Sequence, residues 1–303
     1  MLQCARDPYS CTAGLAQQVT AQEKHIVDVL IEERAERLMQ RPAVWRFVKR
    51  YIYPLLGYDR AIEMVDQVQP LSGLGIFRHL SDELDMNVSV SGLDRVPKEG
   101  LTILMPNHPA GIADGIAVYD ALKAVREDVI FFANRDAVRA APQLEEMIIP
   151  VEWMEDRKDH TKSKQTVRTM LRAFKDQRMV VIFPSGRLAR PTWRGLVERP
   201  WLSTGTSLAQ KYGCPIQPLH IRGTNSALYY FLWFFNEELK DMTLFRELLN
   251  KQGQTYNLTF GEPFVPQGDP EELTPRIREF VTQDMPRGQV RFNPSSAAPL
   301  ILT

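Results

Sequence analysis

The chain has 303 residues, with 37 Lys and Arg balanced by 37 Asp and Glu, so its formal net charge is zero. Its 44% hydrophobic content supplies a full core and excludes disorder as a class, while the neutral balance argues against nucleic acid as a partner. No apolar run approaches the roughly 18–20 residues of a membrane span, and three scattered cysteines (Cys4, Cys11, Cys214) exclude a disulfide scaffold or a cysteine zinc site.

Residues 1–20 read as a lead-in. The stretch MLQCARDPYSCTAGLAQQ has no continuous apolar segment, so no secretory signal is expected and a reducing cytoplasm fits the cysteine usage. From Ala21 to about Gln69 the pattern is helical, with Ile26, Val29, Leu30, Ala35, Leu38 and Met39 recurring at three- and four-residue steps. Pro42 and Pro54 are expected to break this region into pieces. Between them, WRFVKRYIYPLLGY sets Trp45, Phe47, Tyr51 and Tyr53 beside Arg46, Lys49 and Arg50. Such a segment either lies at a membrane interface or packs on the body with a solvated basic edge.

From about Met86 the pattern changes. Short apolar runs at Thr102–Met105, Val129–Ala133, Met179–Phe183, Ile216–Ile221 and Tyr256–Phe260 read as buried strands. Helical segments are expected at about Ala113–Arg126, Thr161–Gln177 and Ser203–Tyr212. This alternation predicts an α/β fold, a largely parallel central sheet flanked by helices, with an N-terminal helical extension. The expected division is residues 1–85 helical, 86–285 the α/β domain, and 286–303 a tail.

Ligands of an open α/β sheet bind beyond the carboxyl ends of its strands, so the residues after each strand are informative. They are Asn107-His108-Pro109-Ala110-Gly111-Ile112-Ala113-Asp114, then Asn134-Arg135-Asp136, then Pro184-Ser185-Gly186-Arg187. His108 and Asp114 lie six positions apart and would fall on different faces of one continuous helix. They can meet if Pro109 and Gly111 make a turn and the helix starts near Ala110–Ala113. Asp114 would then hold one tautomer of His108 while the other ring nitrogen serves as a base. The competing reading is a structural histidine capping the helix.

These motifs carry a resemblance. NHPAGIADG, ANRD, FPSGR, GCPIQPLHI and FGEPF, in that order between about Val88 and Phe264, resemble the lysophospholipid acyltransferase superfamily. That resemblance implies His108 as base, Asp114 as its orienter, Arg135 and Arg187 in acceptor head-group binding, and Pro218 as a shaping residue. Asn107, Gly111, Ser185 and Gly186 complete the expected substrate-binding set. The spacing here is His-x5-Asp, and Ser185 and Arg187 stand where the family motif FPEGTR has Glu and Thr. Both departures resemble the hemolysin-like bacterial branch, some of whose relatives acylate lyso-aminolipids.

The implied reaction moves an acyl group from a thioester of acyl carrier protein or coenzyme A to the free hydroxyl of an anionic lysolipid. The acceptor would be a lyso-aminolipid or a lysophosphatidate-type lipid, with the enzyme peripheral on the cytoplasmic face of the inner membrane. No cofactor or metal is called for, since His160 and His220 have no ligand-spaced partners. An oxyanion hole is expected from N–H groups around Gly186 or at the helix start after Gly111. An acyl hydrolase or a non-catalytic lipid-binding module are the alternatives, the former without a Gly-x-Ser-x-Gly elbow. Arg190, Arg194 and Arg199 either line an acidic carrier or phosphate surface or form a solvated face. NSALYYFLWFF either dips into lipid, walls an acyl tunnel, or is buried core.

Overall fold

The computed structural model describes residues 24–152, 160–193 and 195–294. The lead-in with Cys4 and Cys11, the side chain of His160, Arg194 and residues 295–303 lie outside the described residues.

Seven strands form one sheet. In chain order they are β1 (Asn87–Ser91), β2 (Thr102–Pro106), β3 (Val129–Asn134), β4 (Ile148–Val151), β5 (Met179–Val181), β8 (Ile216–Arg222) and β9 (Thr255–Phe260). Between β5 and β8 a two-stranded antiparallel hairpin, β6 (Arg190–Thr192) and β7 (Gly195–Val197), stands apart from the sheet. The spatial order is β1-β9-β8-β2-β5-β3-β4. Strands β8, β2, β5, β3 and β4 are mutually parallel; β1 and β9 are parallel to each other and antiparallel to those five. The fold is therefore α/β with a largely parallel central sheet and an N-terminal helical extension.

The strand sequences explain this order. All five residues of β2 are buried, as a strand covered on both faces requires. Leu104 joins one core with Val129, Phe131, Val181 and Leu219. Ile103 and Met105 join the opposite core with Ile130, Ile149, Val180 and Ile216. The helices Ile112–Leu122 and Leu244–Leu249 cover the first core, and Thr204–Tyr212 and Pro270–Glu279 help cover the second. The edge strand β1, Asn-Val-Ser-Val-Ser, buries neither face fully, so its apolar signal is thin.

The extension packs into the first core through Val27, Ile31, Val48, Tyr53, Met64, Val65, Ile76 and Phe77. Pro42 opens the helix Pro42–Phe47 as an N-terminal proline can. Pro54 does not break the chain there. The helix passes into π geometry over Val48–Ile52, continues through Tyr53–Leu55, and ends where Gly57 turns at φ +68°. A π segment before a proline tolerates the missing N–H, so the expected break moves three residues later. The beginning of the expected tail is docked, with Phe292 stacked on Phe264 at 4.6 Å.

Candidate active site

Strand β2 ends at the sheet's carboxyl edge, and the next residue fastens it. The Asn107 side chain donates to the Ile221 carbonyl at 2.9 Å and accepts from the Ile221 N–H at 2.7 Å. It copies a backbone ladder pair and ties β2 to β8. Both of its hydrogen-bonding groups are engaged by the protein.

His108 follows, then the turn Pro109-Ala110-Gly111. Gly111 adopts φ +87° and ψ −134°, a conformation open to glycine but strained for other residues. A Cβ there would also approach Leu188 Cδ2 to 3.2 Å. The turn delivers Asp114 to the first turn of the helix Ile112–Leu122, aimed back at the turn itself. Asp114 Oδ2 accepts three hydrogen bonds: from His108 Nδ1 at 2.9 Å, the Ala110 N–H at 2.8 Å and the Gly111 N–H at 2.9 Å. The Asp114 side chain is fully buried, whereas His108 keeps 16% of its side chain exposed. A carboxylate oxygen can only accept, so the geometry assigns the proton to Nδ1 and leaves the Nε2 lone pair available. The helix N-terminus adds a favourable field for the buried anion.

A second carboxylate meets the same residue. Glu198, just beyond β7, accepts the His108 backbone N–H on Oε2 at 3.1 Å and the Trp201 indole N–H on Oε1 at 3.1 Å. Burial pushes the Glu198 carboxyl above its ordinary value, against the opposing pull of these donors and of the neighbouring Ser185 hydroxyl. Ala189, just before β6, donates its N–H to the His108 carbonyl at 2.8 Å. The two ends of one hairpin thus hold both main-chain groups of His108. The Phe183 ring lies 4.2 Å from the imidazole, centroid to centroid.

The other expected residues fall into two groups. Ser185, Gly186 and Arg187 form a tight turn after β5: the Ser185 hydroxyl donates to the Arg187 carbonyl at 2.7 Å, and the Gly186 N–H donates to Phe183 at 3.0 Å. The Arg187 side chain is exposed at this edge. Arg135 opens the helix Arg135–Ala140 after β3 and donates to Gln165 at 2.6 Å. Pro218 is buried in mid-β8 opposite Met105, and its ring fills the space where a Cβ on Gly261 would sit, 2.8 Å away. It shapes the β8–β9 path from inside the sheet. The N–H groups of Gly111 and Gly186 are both engaged, whereas those of Ile112 and Ala113 open the helix and have no intrahelical acceptor.

Sequence reasoning missed Glu198. A lone Glu in RGLVERPWL carries no spacing signal, and its partner Trp201 is informative only once the hairpin is folded. Also missed is the buried pair Lys251–Glu247 at 3.3 Å, on and just beyond the helix packed behind Asp114. Among the described residues no group of three His, Cys, Asp or Glu could hold a metal. His220 lies in β8, its pKa lowered by burial, and burial pushes the Cys214 thiol up to about 11.

Residues 87–222, the stretch containing this constellation, match the family model described as Acyltransferase. Over this stretch the chain is similar to the acyltransferase family. Among curated proteins it is similar to the lyso-glycine lipid O-acyltransferase of Bacteroides thetaiotaomicron, 22% identical over 82% of this chain and 91% of that protein. The protein of the same name from Phocaeicola vulgatus is 24% identical over 76% of this chain and 83% of its own length. Among solved structures, the 1-acyl-sn-glycerophosphate acyltransferase PlsC of Thermotoga maritima aligns with a TM-score of 0.45 and 16% identity, over 88% of this chain and 99% of that one.

Two exposed apolar faces lie outside this family core. On the Pro42–Leu55 stretch, Val44, Phe47, Tyr51 and Leu55 face solvent, while Val48 and Tyr53 are buried. On the helix Ala227–Phe235, Tyr229 is buried and Phe231, Phe234 and Phe235 are exposed. NSALYYFLWFF is therefore a surface helix with one buried anchor. Arg246 joins the two, donating to the Leu55 carbonyl at 3.1 Å and the Ser226 hydroxyl at 3.4 Å. Arg46, Lys49 and Arg50 are all exposed, and Lys49 is paired with Glu32 at 3.1 Å and lies over the Trp45 ring. Arg199 lies over Trp233, with Lys240 near the same ring. Among the described residues no helix is long and apolar enough to cross a membrane.

Proposed function

We propose that this chain transfers a fatty acyl group from an acyl thioester to the free hydroxyl of a lysolipid with an anionic head-group, with His108 and Asp114 as the working pair. The observation that carries this is the three-donor grip on Asp114 Oδ2, which orients His108 with Nε2 as the basic nitrogen. Nε2 takes the proton of the acceptor hydroxyl as its oxygen attacks the thioester carbonyl. The resulting tetrahedral intermediate collapses with cleavage of the C–S bond. The thiol leaves with the proton returned by the imidazolium, and the lipid keeps the new ester. Positioned base catalysis contributes about 10²–10⁴-fold to such a step. The N–H groups of Ile112 and Ala113 are the candidate oxyanion donors.

The acceptor we favour is a lyso-aminolipid, on two grounds. Both curated relatives named above act on a lyso-glycine lipid by name, and the FPSGR departure with His-x5-Asp spacing resembles the hemolysin-like branch. Arg187 is assigned to the acceptor's anion, with Arg135 a second candidate, because a guanidinium pairs bidentately with a carboxylate or phosphate. Acyl carrier protein or coenzyme A supplies the acyl group. In this reading residues 86–285 hold the chemistry, and residues 1–85 with the Ala227–Phe235 helix make a peripheral contact with the cytoplasmic face of the inner membrane. The purified protein, given acyl carrier protein or coenzyme A thioesters and a panel of lyso-glycine lipid, lyso-ornithine-type lipid and lysophosphatidate, should esterify the lyso-aminolipids fastest. Release of free fatty acid without acylated lipid would make it a hydrolase instead.

A further inference from the structure

The backbone of His108 is held as closely as its ring. Its carbonyl accepts from Ala189 and its N–H donates to Glu198, residues that bracket the β6–β7 hairpin. This hairpin stands apart from the seven-stranded sheet, and Glu198 at its exit is only partly exposed. Glu198 presents one oxygen to His108 and the other to the Trp201 indole. Trp201 is itself buried in the second core, which anchors the far side of the contact. Next to this carboxylate stands Ser185, at the position where the FPEGTR pattern has its glutamate. In this chain a carboxylate reaches that neighbourhood from the hairpin.

We propose that Glu198 is a positioning residue for acyl transfer: by accepting the His108 N–H and the Trp201 indole together, it fixes where the imidazole stands relative to the reacting hydroxyl. The proposal rests on His108 being the base. Its chemistry depends on acceptor count. A carboxylate offers two acceptor oxygens and no donor, so it satisfies two N–H groups that point at it from opposite sides. A carboxamide offers one oxygen and an NH₂. In Glu198→Gln, one of the two N–H donors must therefore face another donor inside a partly buried contact, which is costly and is relieved by movement. Because the contact is to the main chain of His108, that movement is transmitted to the ring, and displacements near 1 Å can cost about 10²-fold in rate.

The test uses the full-length enzyme with an acyl-thioester donor and lyso-glycine lipid as acceptor. Glu198→Gln should lower kcat about tenfold or more while the KM for each substrate stays within twofold. Trp201→Phe, which deletes the competing indole N–H, should by itself change kcat less than about threefold. The combined Glu198→Gln, Trp201→Phe variant should recover most of the lost kcat, because the single amide oxygen can then serve His108 alone. A merely structural role for Glu198 predicts the opposite ranking, with the double variant worse than either single one. The proposal is overturned if Glu198→Gln retains wild-type kcat, or if the double variant is no faster than Glu198→Gln.

If Glu198→Gln does not fold, the wild-type protein still decides by amide NMR. The His108 backbone proton should be shifted downfield and slow to exchange, and a freely exchanging His108 amide overturns the contact. His108→Ala in the same assay separates the two levels. If it turns over normally, the base assignment is lost; if it is inactive while Glu198→Gln is unimpaired, only the role of Glu198 is lost.

Discussion

The edge of the sheet around His108 and the outer face of the Pro42–Leu55 and Ala227–Phe235 helices are built on opposite rules. At the edge the orienting contacts are dense: Asp114 Oδ2 has three donors, both main-chain groups of His108 are held, and the Asn107 amide is locked onto β8. On the outer face, Phe47 is 56% exposed and Phe234 and Phe235 each 70%, with their rings turned to solvent. A folded protein gains nothing from leaving such area in water, at about 25 cal/mol per Å². Constraint at the edge fits chemistry that depends on orientation. Exposed aromatics beside Arg46 and Arg50 fit a surface that receives its cover from outside, and under the proposed function that cover is the bilayer presenting the lysolipid.

The hardest blow to the constrained side is His108→Ala. Initial rates should fall about 10²–10⁴-fold with the melting temperature little changed, and Asp114→Asn should lose less because Asp114 orients the base without accepting the proton. Next comes Gly111→Ala. A side chain at φ +87° costs about 1–3 kcal/mol, and its Cβ would press on Leu188 and pull the turn's N–H groups from Asp114. Thermal unfolding should register the strain and kcat should drop about 10²-fold. Gly115→Ala, in the same helix with open space at its Cβ, should be neutral or stabilising by up to about 1 kcal/mol. Equal effects at the two glycines would mean that the turn is not the constrained element.

The exposed side is tested by removing apolar area that nothing in the chain covers. Changing Phe47, Phe234 and Phe235 to Ser should weaken co-sedimentation with anionic liposomes about 10²-fold, while turnover of acceptor dispersed in detergent stays close to wild type. A smaller, salt-dependent share should come from Arg46 and Arg50, at about 1 kcal/mol each near an anionic surface. Changing both to Ser should weaken binding about 30-fold at low salt and little at high salt, where screening has already removed the term. Lys49→Ser should weaken liposome binding less than either arginine change, because the exposed Lys49 is already paired with Glu32. The last test falls on Arg187, where the two regions would share one substrate. Arg187→Lys should raise the acceptor KM several-fold and leave the donor KM unchanged. Equal changes in both would remove Arg187 from the head-group site.

Where burial is two-sided, the sequence was legible. Thr102–Met105, Val129–Ala133 and Ile216–Ile221 are mainly apolar, and each is a strand of the sheet within a residue or so. Edge strand β1 was not legible, because Ser alternates with Val, the Val face is only partly buried and the other face is exposed. The pairing of His108 with Asp114 was legible as a condition, a turn at Pro109–Gly111 followed by a helix start, and the chain meets it. The state of the N–H groups was not. Gly111 and Gly186 read as free donors in the sequence, yet each is engaged within its own turn.

By itself the sequence determined the layered α/β fold, the clustering of His108, Asp114, Ser185 and Arg187 at one sheet edge, and the family those motifs resemble. Hydrophobic period and strand–loop–helix order are local properties, readable from near neighbours in the chain. Tertiary structure alone decided that Asn107 ties strands together, that Lys49 pairs with Glu32, and that Glu198 holds His108 from 90 residues away. Such contacts join residues distant in sequence, and a single Asn, Lys or Glu has no periodicity to announce its partner. The direction of a side chain is settled only when the elements on both sides of it have packed.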